Sequence, residues 1–287
     1  MPTNFPTGVE SRGLPVANDL ITTGTTRYVD SNNGSASYDG KTPGKALVTI
    51  DAAINASSAG DAIYVLEGHA ESVANATTII PDVNGIKIVG LGTGARRPTI
   101  TMTATASNIP VSGTDVRLEN LLITTSGTVD VTSAITVTGD DSHIVNVEIR
   151  ESAATSQFVT GLFFNDADYA TAAGIRMTGS EKLEIVDCDI VGNFQGSANA
   201  VGAILSITTL NIDVRIHHNR VENRDGTSEA GIVFVGTDTG FCYENFIAVP
   251  TGDFAQGLIA DTAMRQFNNF VVDVAQERGA PVGTASA

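Results

Sequence analysis

The sequence has no tryptophan, two cysteines, and charged residues at only 17% of 287 positions, with 16 Lys and Arg set against 32 Asp and Glu. Each scarcity excludes a class of protein. A formal charge of −16 argues against a nucleic-acid partner, because neutralising phosphates needs clustered Lys and Arg. Calcium binding or simple solubility remain as explanations of the acidity. No apolar run reaches about eighteen residues, and no basic stretch followed by an apolar one opens the chain. The expectation is a protein that neither spans a membrane nor carries an evident export signal. Aromatics at 6% speak against a sugar groove floored with flat rings.

What the sequence holds instead is one phrase written four times. Lys182–Ile190 (KLEIVDCDI), Val214–Val221 (VRIHHNRV), Phe241–Ile247 (FCYENFI) and Arg265–Val271 (RQFNNFV) each run apolar, polar, apolar, with a polar or Asn-containing break before the last apolar residue. Upstream of each stands a short strand-like run opening on glycine: Gly174–Thr178, Gly202–Ile207, Gly231–Val235 and Gly257–Ala260. Taking Ile185, Ile216, Cys242 and Gln266 as equivalent gives spacings of 31, 26 and 24 residues. The same frame runs back through Ile144, Leu118 and Ile88, with one long step of 41 residues between Ile144 and Ile185. Periods of this size belong to solenoids. The long step predicts a looped-out insertion, or a less regular extra strand, around Ser152–Ala173.

Within the repeats the alternation has period two, with no helical period. Asn219, Asn245 and Asn269 recur at one place, where Asn suits a left-handed corner and stacked amides bond along the axis. Cys188 takes that place one rung earlier, and Ile190, Val221, Ile247 and Val271 line up two residues on. The predicted fold is all-β: a parallel β-helix of seven or so rungs, roughly 35 Å long at about 4.8 Å per strand. In this frame Cys188 and Cys242 sit two rungs apart, too far to bridge, so both are expected as free, buried thiols.

Three domains follow: an extended N-terminal arm over 1–27, the β-helix over 28–275 and a flexible tail over 276–287. The arm has three prolines, three glycines and no periodicity, but Phe5, Val9, Leu14 and Val16 are apolar and Arg12 is charged. A docking segment is the reading, set against a disordered start. Thr49–Ala56 places Ile50, Ala53 and Ile54 on one helical face with Thr49 as N-cap, predicting a short helix over the open end of the solenoid. The tail QERGAPVGTASA lacks periodicity.

The order YVDS (Tyr28–Ser31), a Gly/Asp-rich loop, TIDAAINASSAGDAIYVLEGHAESV (Thr49–Val73) and IKIVGLGTGARRPTI (Ile86–Ile100) resembles the opening of pectate-lyase-like right-handed parallel β-helix proteins. Within that group it is most similar to the short β-helix proteins encoded among the head genes of tailed bacteriophages. Met1–Val16, Gly68–Val73 and Arg96–Ile100 carry this narrower likeness. The broad resemblance implies the fold, and many of its members cut polysaccharides. The narrow one implies a virion role.

That chemistry calls for paired carboxylates. Glycoside hydrolysis needs two acids about 5–9 Å apart. Asp140 and Asp141 near His143, and Asp166 and Asp168 in the insertion, are the candidates, yet the Gly-His-Gly and Arg-Ile-Lys sequences of galacturonan hydrolases of this fold are absent. Solvated turn residues are the favoured reading. Asp187, Asp189 and Glu244 could offer oxygens to calcium, but Asp187 and Glu244 share a ladder position with His218 and Asn268, as a mixed corner column would. His217 and His218 are adjacent, so as strand residues they point to opposite faces and make no zinc pair. Gly90, Gly92 and Gly94 before Arg96 and Arg97 lack the helix of a phosphate loop and read as a corner. Glu67, His69 and Glu71 read as a charged structural rim.

The expectation is therefore not an enzyme and without cofactor: a homotrimeric phage decoration protein on the virion surface, held to the major capsid protein by Phe5, Val9, Arg12, Leu14 and Val16. The alternatives are a tailspike-like polysaccharide depolymerase or lyase, and a non-catalytic receptor-binding module. Glycan binding has no support from the residues.

Overall fold

The computed structural model describes residues 24–126, 129, 131–150, 164–166, 173–192, 194–196, 202–207, 210–224, 230–234, 237–249, 257–259, 263–273 and 278–282, with two short pairs at 10–11 and 14–15. Three sheets wind into a parallel β-helix. The first has nine strands, from Thr26–Val29 through Lys87–Gly90, His143–Val145 and Val214–His217 to Met264–Phe267. The second runs in parallel from Ala70–Val73 to Asn269–Asp273 and ends with the antiparallel strand Arg278–Val282. The third has six strands, from Ile109–Val111 to Leu258–Ile259.

Like residues stack on like, and that is what closes the core. In the first sheet Ile88 pairs with Leu118, then Ile144, Ile185, Ile216 and Cys242 follow in register. In the second, Ile190, Val221, Ile247 and Val271 follow one another. In the third, Ile109, Ile135, Ile175, Ile204, Ile232 and Leu258 do the same. The repeat frame read from the sequence is thus the register of the sheets. One glycine run is offset: Gly202 pairs with Ala173, so Ala203 takes the column of Gly174, Gly231 and Gly257. Packing explains the glycines there, because an added Cβ would meet Ile190 Cγ2 at 2.8 Å from Gly174 and Val271 Cγ1 at 2.6 Å from Gly257.

The corner between the first two sheets divides its tasks between two residues. Asn120, Asn146, Asp187, His218, Glu244 and Asn268 take the left-handed conformation, with φ between 50° and 57°, a state unfavourable for side chains with a Cβ. The residue after each turns inward. The left-handed residue was expected to be the ladder asparagine itself; instead Asn219, Asn245 and Asn269 are the inward ones, all but fully buried. Asn245 Oδ1 accepts from the Asn219 N–H at 3.1 Å, and Asn269 Oδ1 from the Asn245 N–H at 3.1 Å. The amide nitrogens donate onward to the carbonyls of Ile185, Ile216 and Cys242 at 2.8–2.9 Å. Cys188 opens the column, its N–H donating to Asn219 Oδ1 at 3.0 Å. Cys188 and Cys242 are free and buried, and burial pushes both thiols up to about 12.

The N-terminal end is covered by the helix Ile50–Asn55, which buries Ile50, Ala53 and Ile54 and is capped by Thr49, whose Oγ1 accepts from Ala52 N–H at 3.2 Å. At the other end Arg278–Val282 lies antiparallel to Asn269–Asp273, so part of the expected flexible tail supplies a strand. Its signal is backbone hydrogen bonding to the last rung, which no side-chain period reports. Within the expected insertion Phe164–Asp166 pairs with Phe194–Gly196, an extra strand outside the three main sheets. Among the described residues no helix is long and apolar enough to cross a membrane.

Candidate functional site

Alternate strand residues face outward, so the three outer faces can be compared directly. On the third sheet the outward column runs Pro110, Thr136, Arg176, Leu205 and Val233, and its last two residues join Ala173 and Ala230 in a second buried cluster. The outer face of the second sheet holds mutually satisfied ion pairs, Arg97 with Glu148 at 2.9 Å and Arg220 with Asp189 at 2.8 Å, and ends in the exposed stacked pair Phe246 and Phe270. The outer face of the first sheet differs in kind.

Two outward columns run along it. One is Lys87, Arg117, His143, Glu184, Arg215, Phe241 and Arg265. The other is Tyr28, Tyr64, Val89, Glu119, Val145, Val186, His217, Tyr243 and Phe267. Parallel register places identical strand positions one rung apart, and at that spacing flat rings stack. His217 lies over Tyr243 with centroids 4.7 Å apart and planes 10° apart, and Tyr243 over Phe267 at 4.8 Å and 8°. In the neighbouring column the Arg265 guanidinium sits 5.6 Å from the Phe241 ring centre. The sequence reading gave glycans no aromatic floor. The register nonetheless gathers three of the few flat rings on consecutive rungs.

A chain of titratable groups crosses the same face. Glu184 Oε2 meets His143 Nδ1 at 3.0 Å and Glu184 Oε1 meets His217 Nε2 at 3.2 Å. His217 Nδ1 meets His218 Nδ1 at 2.8 Å, and His218 Nε2 meets Glu244 Oε2 at 2.7 Å. The two histidines were expected on opposite faces; the left-handed corner at His218 turns its ring back beside that of His217. Burial pushes the Glu184 carboxyl up, but hydrogen bonds from His217 and His143 and their charge outweigh burial and hold it below the usual value of 4.5.

The other candidates from the sequence fall elsewhere. Asp140 accepts the Glu181 N–H at 2.8 Å, and Asp141 is left-handed at the turn entering the first sheet. Asp187 and Glu244 do share the corner column, and Asp189 is paired to Arg220. Among the described residues no cluster of three or more His, Cys, Asp or Glu could hold a metal ion. Gly90 ends a strand, while Gly92 and Gly94, both with positive φ, lead into the short turn Gly94–Arg96.

The expected charged rim is only partly a rim. Glu67 is exposed and paired with Arg96, but His69 is buried: Nδ1 accepts the Ser31 N–H at 3.0 Å, and Nε2 faces Glu71 at 3.1 Å. Glu71 in turn accepts the Ile50 N–H at 2.9 Å at the start of the helix. Its carboxylate serves the cap, where a helix N-terminus favours negative charge.

Phe5, Val9, Arg12 and Val16 lie outside the described residues, as does Asp168. Leu14 falls in the strand Leu14–Pro15, paired with Glu10–Ser11.

No protein-family profile matches the chain, and no curated protein sequence matches it. Among solved structures it is similar to pectate lyase Pel9A, with a TM-score of 0.59 and 14% identity over 87% of this chain and 63% of that one. It is also similar, at TM-scores of 0.43 and 0.37 and 13% identity, to pectate lyase Bsp165PelA from Bacillus sp. N165 in complex with trigalacturonate and to a rhamnogalacturonan lyase. These alignments cover 88% and 86% of this chain and 83% and 87% of those chains. The fold is a pectate-lyase-like right-handed parallel β-helix. The chain spans 63% of the length of Pel9A.

This likeness corrects the expectation that the chain is not an enzyme. That expectation rested on missing motifs of the galacturonan hydrolases, whereas the fold is one that carries a lyase. Motif absence in one branch of a fold excludes only the chemistry of that branch.

Proposed function

We propose that the chain acts on a polysaccharide, held along the outward face of the first sheet, as a depolymerase or lyase. The observation that carries this reading is the stack of His217, Tyr243 and Phe267, whose outward edges make a continuous strip across three successive rungs. A rigid strip of this kind offers apolar contact to sugar rings laid along it. Beside it, Glu184, His143 and His217 form a hydrogen-bonded group of acid–base side chains next to the bound chain. The shared fold with a protein named a pectate lyase supports the same direction.

The test is to incubate the protein with polygalacturonate and with bacterial capsular and lipopolysaccharide glycans. Binding and the release of reducing ends and unsaturated products would be measured. Tyr243→Ala with Phe267→Ala is expected to weaken glycan binding at least tenfold with an unchanged circular dichroism spectrum. Binding unaffected by the double substitution would overturn this site, and failure to bind any of these glycans would overturn the function.

The setting proposed for this activity is a bacteriophage virion, with the arm over 1–27 attached to the major capsid protein of the particle and the rods grouped as trimers. Its support is the sequence likeness at Gly68–Val73 and Arg96–Ile100. A polysaccharide-acting rod on a particle and a surface decoration are then one molecule with two ends.

A further inference from the structure

Along the outer face of the second sheet two outward columns stand side by side. One reads Glu148, Asp189, Arg220, Phe246 and Phe270, the other Arg150, Val191, Glu222, Ala248 and Val272. Compared strand by strand they complement each other: Glu148 stands beside Arg150, Arg220 beside Glu222, Phe246 beside Ala248 and Phe270 beside Val272. Asp189 beside Val191 is the exception, and Arg220 of the next strand holds it at 2.8 Å. The whole chain has 32 Asp and Glu against 16 Lys and Arg. On this face, by contrast, Glu148, Asp189 and Glu222 are met by Arg97, Arg150, Arg220 and Arg224 at 2.6–3.0 Å. The charges are balanced here, but the rings stay open. Phe246 and Phe270 stack at 5.9 Å and are still 42% and 39% exposed, an apolar patch at the end of a paired surface.

Resting on the reading that the rods stand in groups, we propose that this face is the contact between copies, its partner a second copy of the chain, parallel and at the same height. Charge and apolar complementarity argue for that occupant and that orientation. A rotation axis running along the rod brings the first column of one copy against the second column of its neighbour, strand for strand. Glu148 then meets Arg150 of the neighbouring copy, Arg220 meets its Glu222, and the two phenylalanines meet its Ala248 and Val272. Opposite charges face each other and like charges do not, as specific association requires.

An axis across the rod does worse, because it sets each column against itself in reverse order. Centred on the charges, it lays Glu148 on Phe246, Arg150 on Ala248 and Glu222 on Val191, whereas the parallel arrangement mismatches Asp189 and Val191 alone. A charged group pressed against an apolar one loses water and gains no partner. Centred on the rings, the same axis overlaps only the strands from Arg220 onward. The parallel contact also uses a different sheet from the first, so the face given to the polysaccharide stays open on every copy.

The experiment is sedimentation velocity of the full chain over a range of concentrations, alone and in mixtures of variants. The unaltered protein is expected to sediment as an oligomer. Phe246→Ser with Phe270→Ser is expected to move association to concentrations higher by about tenfold or more, with an unchanged circular dichroism spectrum. Arg220→Glu alone sets acid against acid across the contact, and Glu222→Arg alone sets base against base. Each variant is expected to dissociate by itself, and an equimolar mixture of the two to associate again, because each then offers the charge that the other lacks. Mixing repairs nothing inside a single chain, so the regained association reads the contact between copies and not the fold. An oligomer that neither the ring nor the charge substitutions weaken overturns this face and leaves the grouping of rods standing. Dissociation that mixing does not reverse overturns the parallel, same-height arrangement. A folded, unaltered chain that is monomeric at every concentration overturns both the face and the grouped reading beneath it.

Discussion

Asn245 shows what one residue does in a stacked fold. Its side chain accepts from the Asn219 N–H and donates to the Ile216 carbonyl and to Asn269, all in a buried column. Removing it leaves several buried partners unsatisfied, each costing about 1–3 kcal/mol. Asn245→Ala is therefore expected to lower stability by at least ~2 kcal/mol in urea unfolding. An unchanged midpoint would show that the ladder is ornamental. The sequence disclosed this column because identical residues recur at nearly the same spacing. It did not disclose which residue of the corner is left-handed, because Asn tolerates both places. His218 and Glu244 tolerate the left-handed state less well, and backbone geometry put them there. The same corner decided where the His218 ring goes, edge-on to that of His217.

At the scale of the element, each strand is too short to stand alone and is held by the one above it and the one below. The two terminal strands of every sheet are therefore the weak points, since each would present an unpaired edge. At the N-terminal end the helix Ile50–Asn55 and the Glu71 carboxylate supply the cover. At the other end Arg278–Val282 pairs with Asn269–Asp273. Truncation after Gln276 is expected to leave a folded rod with an exposed edge that self-associates, seen as a rise in light scattering with concentration. A truncated chain that stays monomeric at high concentration would show that the strand is not a cap. The helix was legible from an N-cap followed by an apolar face. The capping strand was not, because it contributes backbone bonds and no repeat.

The whole molecule is an elongated body that fills its own core, and the expected arm over 1–27 ends inside it, because Thr26 and Arg27 already pair with Ala62 and Ile63 in the first sheet. Nine stacked strands at about 4.8 Å make a face nearly 40 Å long, a surface suited to a polymer. The proposed virion setting is tested at this scale. Deleting Met1–Thr26 is expected to leave a folded β-helix that no longer co-sediments with undecorated capsids, whereas the full chain does. Equal sedimentation of both would remove the arm as anchor, and no sedimentation of either would remove the capsid.

What the sequence determined by itself was the fold. A period of 24 to 31 residues with alternation of two leaves few ways to bury Ile144, Ile185, Ile216 and Ile190 except by stacking rungs. What only the tertiary structure decided was the face. His217, Tyr243 and Phe267 lie 26 and 24 residues apart, and so do Arg215, Phe241 and Arg265. Outward positions bear no burial constraint, so their residue types vary from rung to rung and form no repeat to read. They become a surface only when parallel register sets them one strand spacing apart, close enough for rings to stack.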